Sequence, residues 1–237
     1  MDAKHIKFYT GSGTSTLLTD LIGYWKLTEP SGTNFNEEVS NYDATGSGIV
    51  ASSSGVEFDS SGDYVYVPNT AGLYPSSTAF SVSLWFYLDT LPSSAGRNMF
   101  LIRFYDNSYV WSYEAFIKNS ENYITFYIND SSDVDFQSET ANNAVSAGQW
   151  YNLILVNQTG TYPHIYLNNS DVTSYHPDTW TGTIRQPTGD LYFGSPYSSG
   201  TSSIDGRVRS VGIWNKALSS DERTELYNNG TPNDYPF

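Results

Sequence analysis

The chain has 237 residues and no cysteine, which excludes disulfides, thiolate catalysis and sulfur-ligated metal centres. Its 25 Asp and Glu against 11 Lys and Arg leave a formal charge of −14, which repels phosphate backbones and so argues against nucleic acid and anionic membranes as partners. No apolar stretch is long enough to span a bilayer, and 20 Tyr and 6 Trp among abundant Gly, Ser, Thr and Asn point to many strands rather than helices.

In chain order, residues 1–20 come first. Lys4, His5 and Lys7 are followed by no apolar run, so this start does not read as a secretory signal. Tyr9 to Thr16 reads YTGSGTST, too poor in apolar residues to bury much surface. An arm or linker is expected over 1–20 and one domain over 21–237. The clearest strand is 80–88, where Phe80, Val82, Leu84, Phe86 and Leu88 alternate with Ser81, Ser83, Trp85 and Tyr87, the period of two that buries one face. Runs at 64–67, 99–105, 109–118, 123–129, 150–157, 164–168 and 190–194 read similarly. Turn chemistry at 106–108, 119–122 and 158–160 separates several of them. Short strands joined by tight turns predict an all-β fold, an antiparallel jelly-roll β-sandwich. One short helix is predicted near the C-terminus. Ser219 caps it, Glu222 closes a capping box, Asp221 sits at the positive end of the dipole, and Asn228, Asn229 and Gly230 end it.

Three segments in order carry a family resemblance. Residues 21–32 (LIGYWKLTEPSG) are followed by Phe58–Asp59 and Gly62–Asp63–Tyr64–Val65. Residues 80–88 (FSVSLWFYL) are followed by Gly148–Gln149–Trp150–Tyr151, and 204–227 (IDGRVRSVGIWNKALSSDERTELY) closes the set. Together they resemble the laminin G-like jelly roll of the concanavalin A-like lectin and glucanase superfamily. Trp25, Trp85, Trp150 and Trp214 lie in matching strands and are expected to be structural. The resemblance also implies a structural calcium where the loop after the first strand meets the start of the last. Its ligands would be Asn36, Glu37, Asn41, Asp43 and Asp205, with Gly206 standing where the family has an acid and Glu37 where it has Asp.

Catalysis has one candidate. Asp133, Asp135 and Glu139 have the bulged spacing by which some jelly-roll glucanases set a nucleophile and an acid around the scissile bond. The run begins with Asp where that pattern has Glu, follows Asn129–Asp130–Ser131–Ser132, and is expected to be a loop. His5, His164 and His176 have neither metal nor nucleophile spacing. The chain is therefore expected not to be an enzyme. Sugar binding needs rings that stack on pyranose faces and amides or carboxylates that fix hydroxyls. Segments 175–180 (YHPDTW) and 192–197 (YFGSPY) offer both, so Tyr175, His176, Asp178, Trp180 and Tyr197 are the expected ligand-binding residues. Trp111, Tyr113 and Tyr162 are further rings that could reach the surface. The expected function is non-catalytic recognition of a glycan or cell-surface ligand, outside the cell or on a virion. The alternative is a structural decoration or fibre-associated protein of a bacteriophage, attached to other virion proteins through residues 1–20.

Overall fold

The computed structural model describes residues 15–59, 62–69, 72–73, 75, 78–105, 111–186, 188–198 and 201–237. Its strands are β1 (Leu21–Trp25), β2 (Asn34–Phe35), β3 (Ala44–Ser47), β4 (Val50–Ser52), β5 (Gly55–Asp59), β6 (Tyr64–Val67), β7 (Phe80–Leu88), β8 (Met99–Tyr105) and β9 (Trp111–Ile117). They continue with β10 (Ile124–Asn129), β11 (Asp135–Thr140), β12 (Trp150–Asn157), β13 (His164–Leu167), β14 (Ser170–Asp171), β15 (Thr173–Tyr175), β16 (Asp190–Phe193) and β17 (Asp205–Trp214).

These strands form two antiparallel sheets. The eight-stranded sheet runs β14-β13-β12-β7-β17-β5-β4, with β1 beside the C-terminal half of β17. The nine-stranded sheet runs β15-β11-β10-β9-β8-β16-β6-β3-β2. β16 lies between β8 and β6 of one sheet, and the chain then crosses to place β17 between β7 and β5 of the other. Such crossings give the jelly-roll sandwich. The alternation in β7 sends Phe80, Val82, Leu84, Phe86 and Leu88 inward, where they meet Phe104, Tyr113, Ala115, Ile117, Phe126 and Ile128 of the opposing sheet. Each such side chain contributes roughly 1.5–3 kcal/mol on full burial, which lets the core hold without cross-links.

The outer face of the eight-stranded sheet is covered. Tyr24, Ile154, Val156 and Trp214 project from it and are buried under Leu17, Leu218 and Leu226, with Tyr235 and Phe237 packed beside them. Trp214 fits because position 212 is glycine; a Cβ there would stand 2.4 Å from the indole. The helix Ser220–Tyr227 stacks Tyr227 on Trp85 at 6.1 Å and 8°. Its capping box is formed as expected, Glu222 N donating to Ser219 Oγ and Ser219 N to Glu222 Oε2. Glu222 Oε1 also accepts from Lys216 Nζ and Thr16 Oγ1, both at 2.6 Å. Leu17 is fully buried and its carbonyl accepts from Trp214 Nε1 at 2.7 Å. Thr16 and Leu17 therefore belong to the folded body rather than to an arm, and residues 1–14 lie outside the described residues.

Strands β7, β8 and β12 have the predicted bounds, and the turn expected at 106–108 lies outside the described residues. The 133–139 run, expected as a loop, is one only at Asp133 and Val134: Asp135–Thr140 is β11, paired with β10 from Asn129↔Asp135 to Thr125↔Glu139.

Candidate functional site

The helix and tail close one sheet, and the chemistry gathers on the outer face of the other. Register carries one row of outward residues across the nine-stranded sheet. Tyr192 opposes Arg103, Arg103 opposes Glu114, Glu114 opposes Tyr127, and Tyr127 opposes Gln137. In the adjoining row Phe100 opposes Phe116, Phe116 opposes Thr125, and Thr125 opposes Glu139. Two bulges in the β8–β9 pairing assemble these rows. The one near Leu101 turns Phe100 to the same side as Arg103. The one near Ser112 turns Trp111 to the side of Glu114 and Phe116, although strict alternation would place it with the core residue Tyr113. Bulges re-aim side chains in this way and recur beside functional sites.

Arg103 and Glu114 form the centre. Arg103 Nε and Glu114 Oε2 approach to 2.7 Å, with only about a tenth of either side chain exposed, and the contact lacks hydrogen-bond alignment. The Arg103 guanidinium lies 4.1 Å from the Tyr105 ring centroid, 5.3 Å from Phe100 and 5.8 Å from Trp111. Burial pushes the Glu114 carboxyl above its ordinary range, against the pull of Arg103. Beside this pair Phe116 stacks on Phe100 at 4.8 Å and on Tyr127 at 6.0 Å and 11°, with Lys118 Nζ 5.2 Å from its centroid. Trp111, Glu114, Phe116, Lys118, Tyr127 and Asp135 line an open cleft of about 270 Å³. Asn129 holds Asp135 through Nδ2 at 2.7 Å, while the buried Asn129 Oδ1 and Trp111 Nε1 have no hydrogen-bond partner among the described residues. The cleft thus joins ring faces to the charged groups of Glu114, Lys118 and Asp135.

The predicted ligand residues are scattered around this face. Tyr175 is 53% exposed and opposes Glu139 at the β15 edge. His176 is exposed and stacks on Tyr162 at 3.6 Å, and Asp178 is exposed in the same loop. Tyr197 is 39% exposed on the far flank, its ring 6.1 Å from Tyr105. Trp180 is a correction. It has no exposed surface, packs edge-on against Phe136 at 4.8 Å and donates from Nε1 to the Thr78 carbonyl. It holds the loop to the core and cannot offer a stacking face. Tyr113 is likewise a core ring. The sequence reading missed Arg103, Glu114, Phe116, Lys118 and Tyr127; the outward half of each strand's alternation was the available signal.

The five residues expected to hold calcium do not form one site. Glu37 Oε1 accepts from the amides of Tyr24 and Val39 at 2.7 and 2.9 Å, and Oε2 from the Ser40 amide. Asp43 Oδ1 accepts from the Glu37 amide at 2.9 Å, while Asn36 and Asn41 are exposed. These carboxylates fold the loop. Glu37 bridges to Trp25, which opposes Val211, whereas Asp205 opposes Asp59 at the other end of β17, on the order of 20 Å away along the strand. Gly206 has its own reason. At φ +153° a Cβ there would stand 1.9 Å from the Tyr87 carbonyl oxygen, so an acid cannot occupy the position without moving backbone. Among the described residues no three His, Asp or Glu side chains converge as a metal site.

The family model described as the concanavalin A-like lectin/glucanases superfamily, of laminin G type, matches residues 59–222. The chain belongs to that superfamily. A sequence comparison with the curated proteins finds no match. Among solved structures, this lectin-like fold is similar to the binding domain of Paraclostridial mosquitocidal protein 1 (TM-score 0.68, 13% identity, covering 89% of this chain and 52% of that one). It is also similar to the receptor-binding domain of botulinum neurotoxin D (0.64, 16%, 89% and 52%) and to Trypanosoma rangeli sialidase in complex with sialic acid (0.66, 15%, 94% and 35%). The chain spans about half the length of the two toxin domains and about a third of the sialidase. At these identities the likeness is one of fold.

Proposed function

We propose that this member of the concanavalin A-like superfamily is a non-catalytic glycan-binding module, and that its contact surface is the Trp111–Phe116–Tyr127 cleft on the open face of the nine-stranded sheet. The observation that carries the reading is the cleft itself, where stacked rings lie beside Glu114, Asp135 and Lys118. Rings cover the apolar faces of a pyranose, and the polar groups take its hydroxyls. The solved relatives that are toxin binding domains lend the reading support by analogy of fold. Tyr175 and Tyr197, exposed on opposite flanks, would add contacts at the margins.

The test is a glycan and polysaccharide array probed with the purified chain and with Trp111→Ala and Tyr127→Ala. Each substitution is expected to weaken binding by about tenfold, the loss of roughly one ring-stacking contact, with little change in melting temperature. Binding that survives both substitutions would move the site elsewhere. Because Asp135 and Glu139 lie on a strand of this face beside Glu114, reducing-sugar release is measured on every bound glycan. Release that disappears in Glu114→Gln would replace the binding reading with a hydrolytic one.

A further inference from the structure

The cover that the helix and tail lay over the eight-stranded sheet ends at Trp85 of β7, on which Tyr227 stacks. Tyr87, the next outward residue of that strand, is half-buried, and register carries a row through it. Trp150 opposes Tyr87, Tyr87 opposes Arg207, Arg207 opposes Glu57, and Glu57 opposes Val50 of the edge strand β4. The row crosses four strand spacings, about 19 Å. Trp150 and Tyr87 meet at 5.7 Å by centroid, and the Arg207 guanidinium stands 5.2 Å from the Tyr87 ring. The half-buried Trp150 indole reaches as far as β5, where a Cβ on Gly55 would stand 3.3 Å from it. Val50 is 61% exposed. Trp, Tyr and Arg are the side chains that carry most of the binding energy where proteins meet.

Charge says what fits this face. In the adjoining row Asp205 opposes Asp59, and the Asp205 carbonyl accepts from the Asp89 amide, so three Asp positions stand side by side at the ends of β5, β17 and β7. Arg207 Nη2 lies 3.2 Å from Glu57 and 3.8 Å from Asp89, one guanidinium among four carboxylates. Like charges directly opposite on paired strands cost stability, and cations brought by a partner relieve that cost. These carboxylates do not converge on one point as a metal site among the described residues, so the relief comes from spaced cationic side chains.

We propose that this end of the eight-stranded sheet docks a basic segment of a protein partner, with one arginine or lysine over the Trp150–Tyr87 rings and a second on the Asp59–Asp205 pair. The rings offer their faces to a cation, and the carboxylates around Arg207 steer a positive segment to the face. Strands β12 and β5 are three spacings apart, about 14 Å, which is the separation of side chains four residues apart along an extended chain. The face belongs to the other sheet from the Trp111–Phe116–Tyr127 cleft, so this inference stands independently of glycan binding.

Fluorescence anisotropy tests this with the full chain and a labelled synthetic peptide that carries two arginines four residues apart among Gly and Ser. Saturable binding is expected at low salt and should weaken as salt rises. The same peptide with citrulline in place of arginine, which keeps the shape and removes the charge, should not bind. Trp150→Ala is expected to raise the dissociation constant about tenfold and Asp59→Asn about threefold. Trp150→Phe, which keeps a ring, should lose about threefold or less and controls for misfolding. Equal binding of the arginine and citrulline peptides would overturn the basic partner. Arginine-peptide binding unchanged in both Trp150→Ala and Asp59→Asn would place it on another acidic surface and overturn the assignment of this face. Absence of binding at low salt would overturn the inference outright, and a dimer that dissociates in Trp150→Ala would then give the face to a second copy of the chain.

Discussion

Trp180 shows what a single residue's neighbours in sequence conceal. It ends a loop rich in Tyr, His, Pro and Asp, the composition of an exposed sugar-contacting segment, yet its indole is fully buried against Phe136 with its N–H satisfied by Thr78. Trp180→Ala would open a cavity and leave the Thr78 carbonyl with only the Thr159 hydroxyl of its two side-chain donors. A loss of about 3–5 kcal/mol is expected, read as a fall in the denaturation midpoint. Glycan binding by the fraction still folded should be unaltered. A variant with wild-type stability and no binding would return Trp180 to the ligand surface. No pattern distinguishes these cases beforehand, because irregular chain has no period from which a facing direction can be read. Within strands the period was informative: it placed Phe80, Val82, Leu84, Phe86 and Leu88 inward as found. Both Trp111 and Tyr113 are expected to reach the surface, but only Trp111 does, because a bulge between them breaks the alternation and leaves Tyr113 in the core.

At the scale of an element, the C-terminal helix was the most legible part of the chain. Ser219, Glu222 and Asn228 occupy the capping positions assigned to them, because caps are local chemistry between residues a turn apart. The sequence does not reveal that Glu222 also ties the helix to Thr16 and Lys216, one contact spanning 206 residues. Strand β11 was misread for the converse reason, since its Asp, Gln and Glu positions face outward and only pairing with β10 identifies the strand. Burial would raise the Glu222 carboxyl, but hydrogen bonds from Lys216, Thr16 and the Ser219 amide outweigh it and hold the value at about 2, below the ordinary 4.5. A depressed carboxylate contributes stability that is complete above about pH 4.5 and lost as pH falls toward 2, here on the order of 3 kcal/mol. Glu222→Gln is therefore expected to lower stability at pH 7 and to flatten the stability profile between pH 5 and 2. Parallel profiles for the two proteins would show that the carboxylate adds nothing through its charge.

For the whole molecule, the two sheets of the sandwich are finished differently. The eight-stranded sheet needs a cover because Trp214, Tyr24 and Ile154 are large apolar groups on its outer side, and the chain supplies one from both ends. Asp234 fastens the tail, accepting from Tyr24 Oη at 2.9 Å, Arg209 Nη2 at 2.9 Å and Ser210 Oγ at 2.6 Å, and Phe237 meets Tyr24 edge-on at 5.3 Å. The nine-stranded sheet instead places rings and charges outward around the Trp111–Phe116–Tyr127 cleft, the surface proposed for a ligand. Stability and recognition should then separate between the two faces. Deleting residues 234–237 removes a carboxylate with three donors and two half-buried rings, a loss of about 3–4 kcal/mol. The truncated protein should melt at a lower temperature and bind a hydrophobic dye where Trp214 and Tyr24 are bared. Well below its melting temperature it should still bind glycan with wild-type affinity. Weakened glycan binding in a truncated protein that is demonstrably folded would mean that the covered face, not the open one, bears the ligand or controls the face that does.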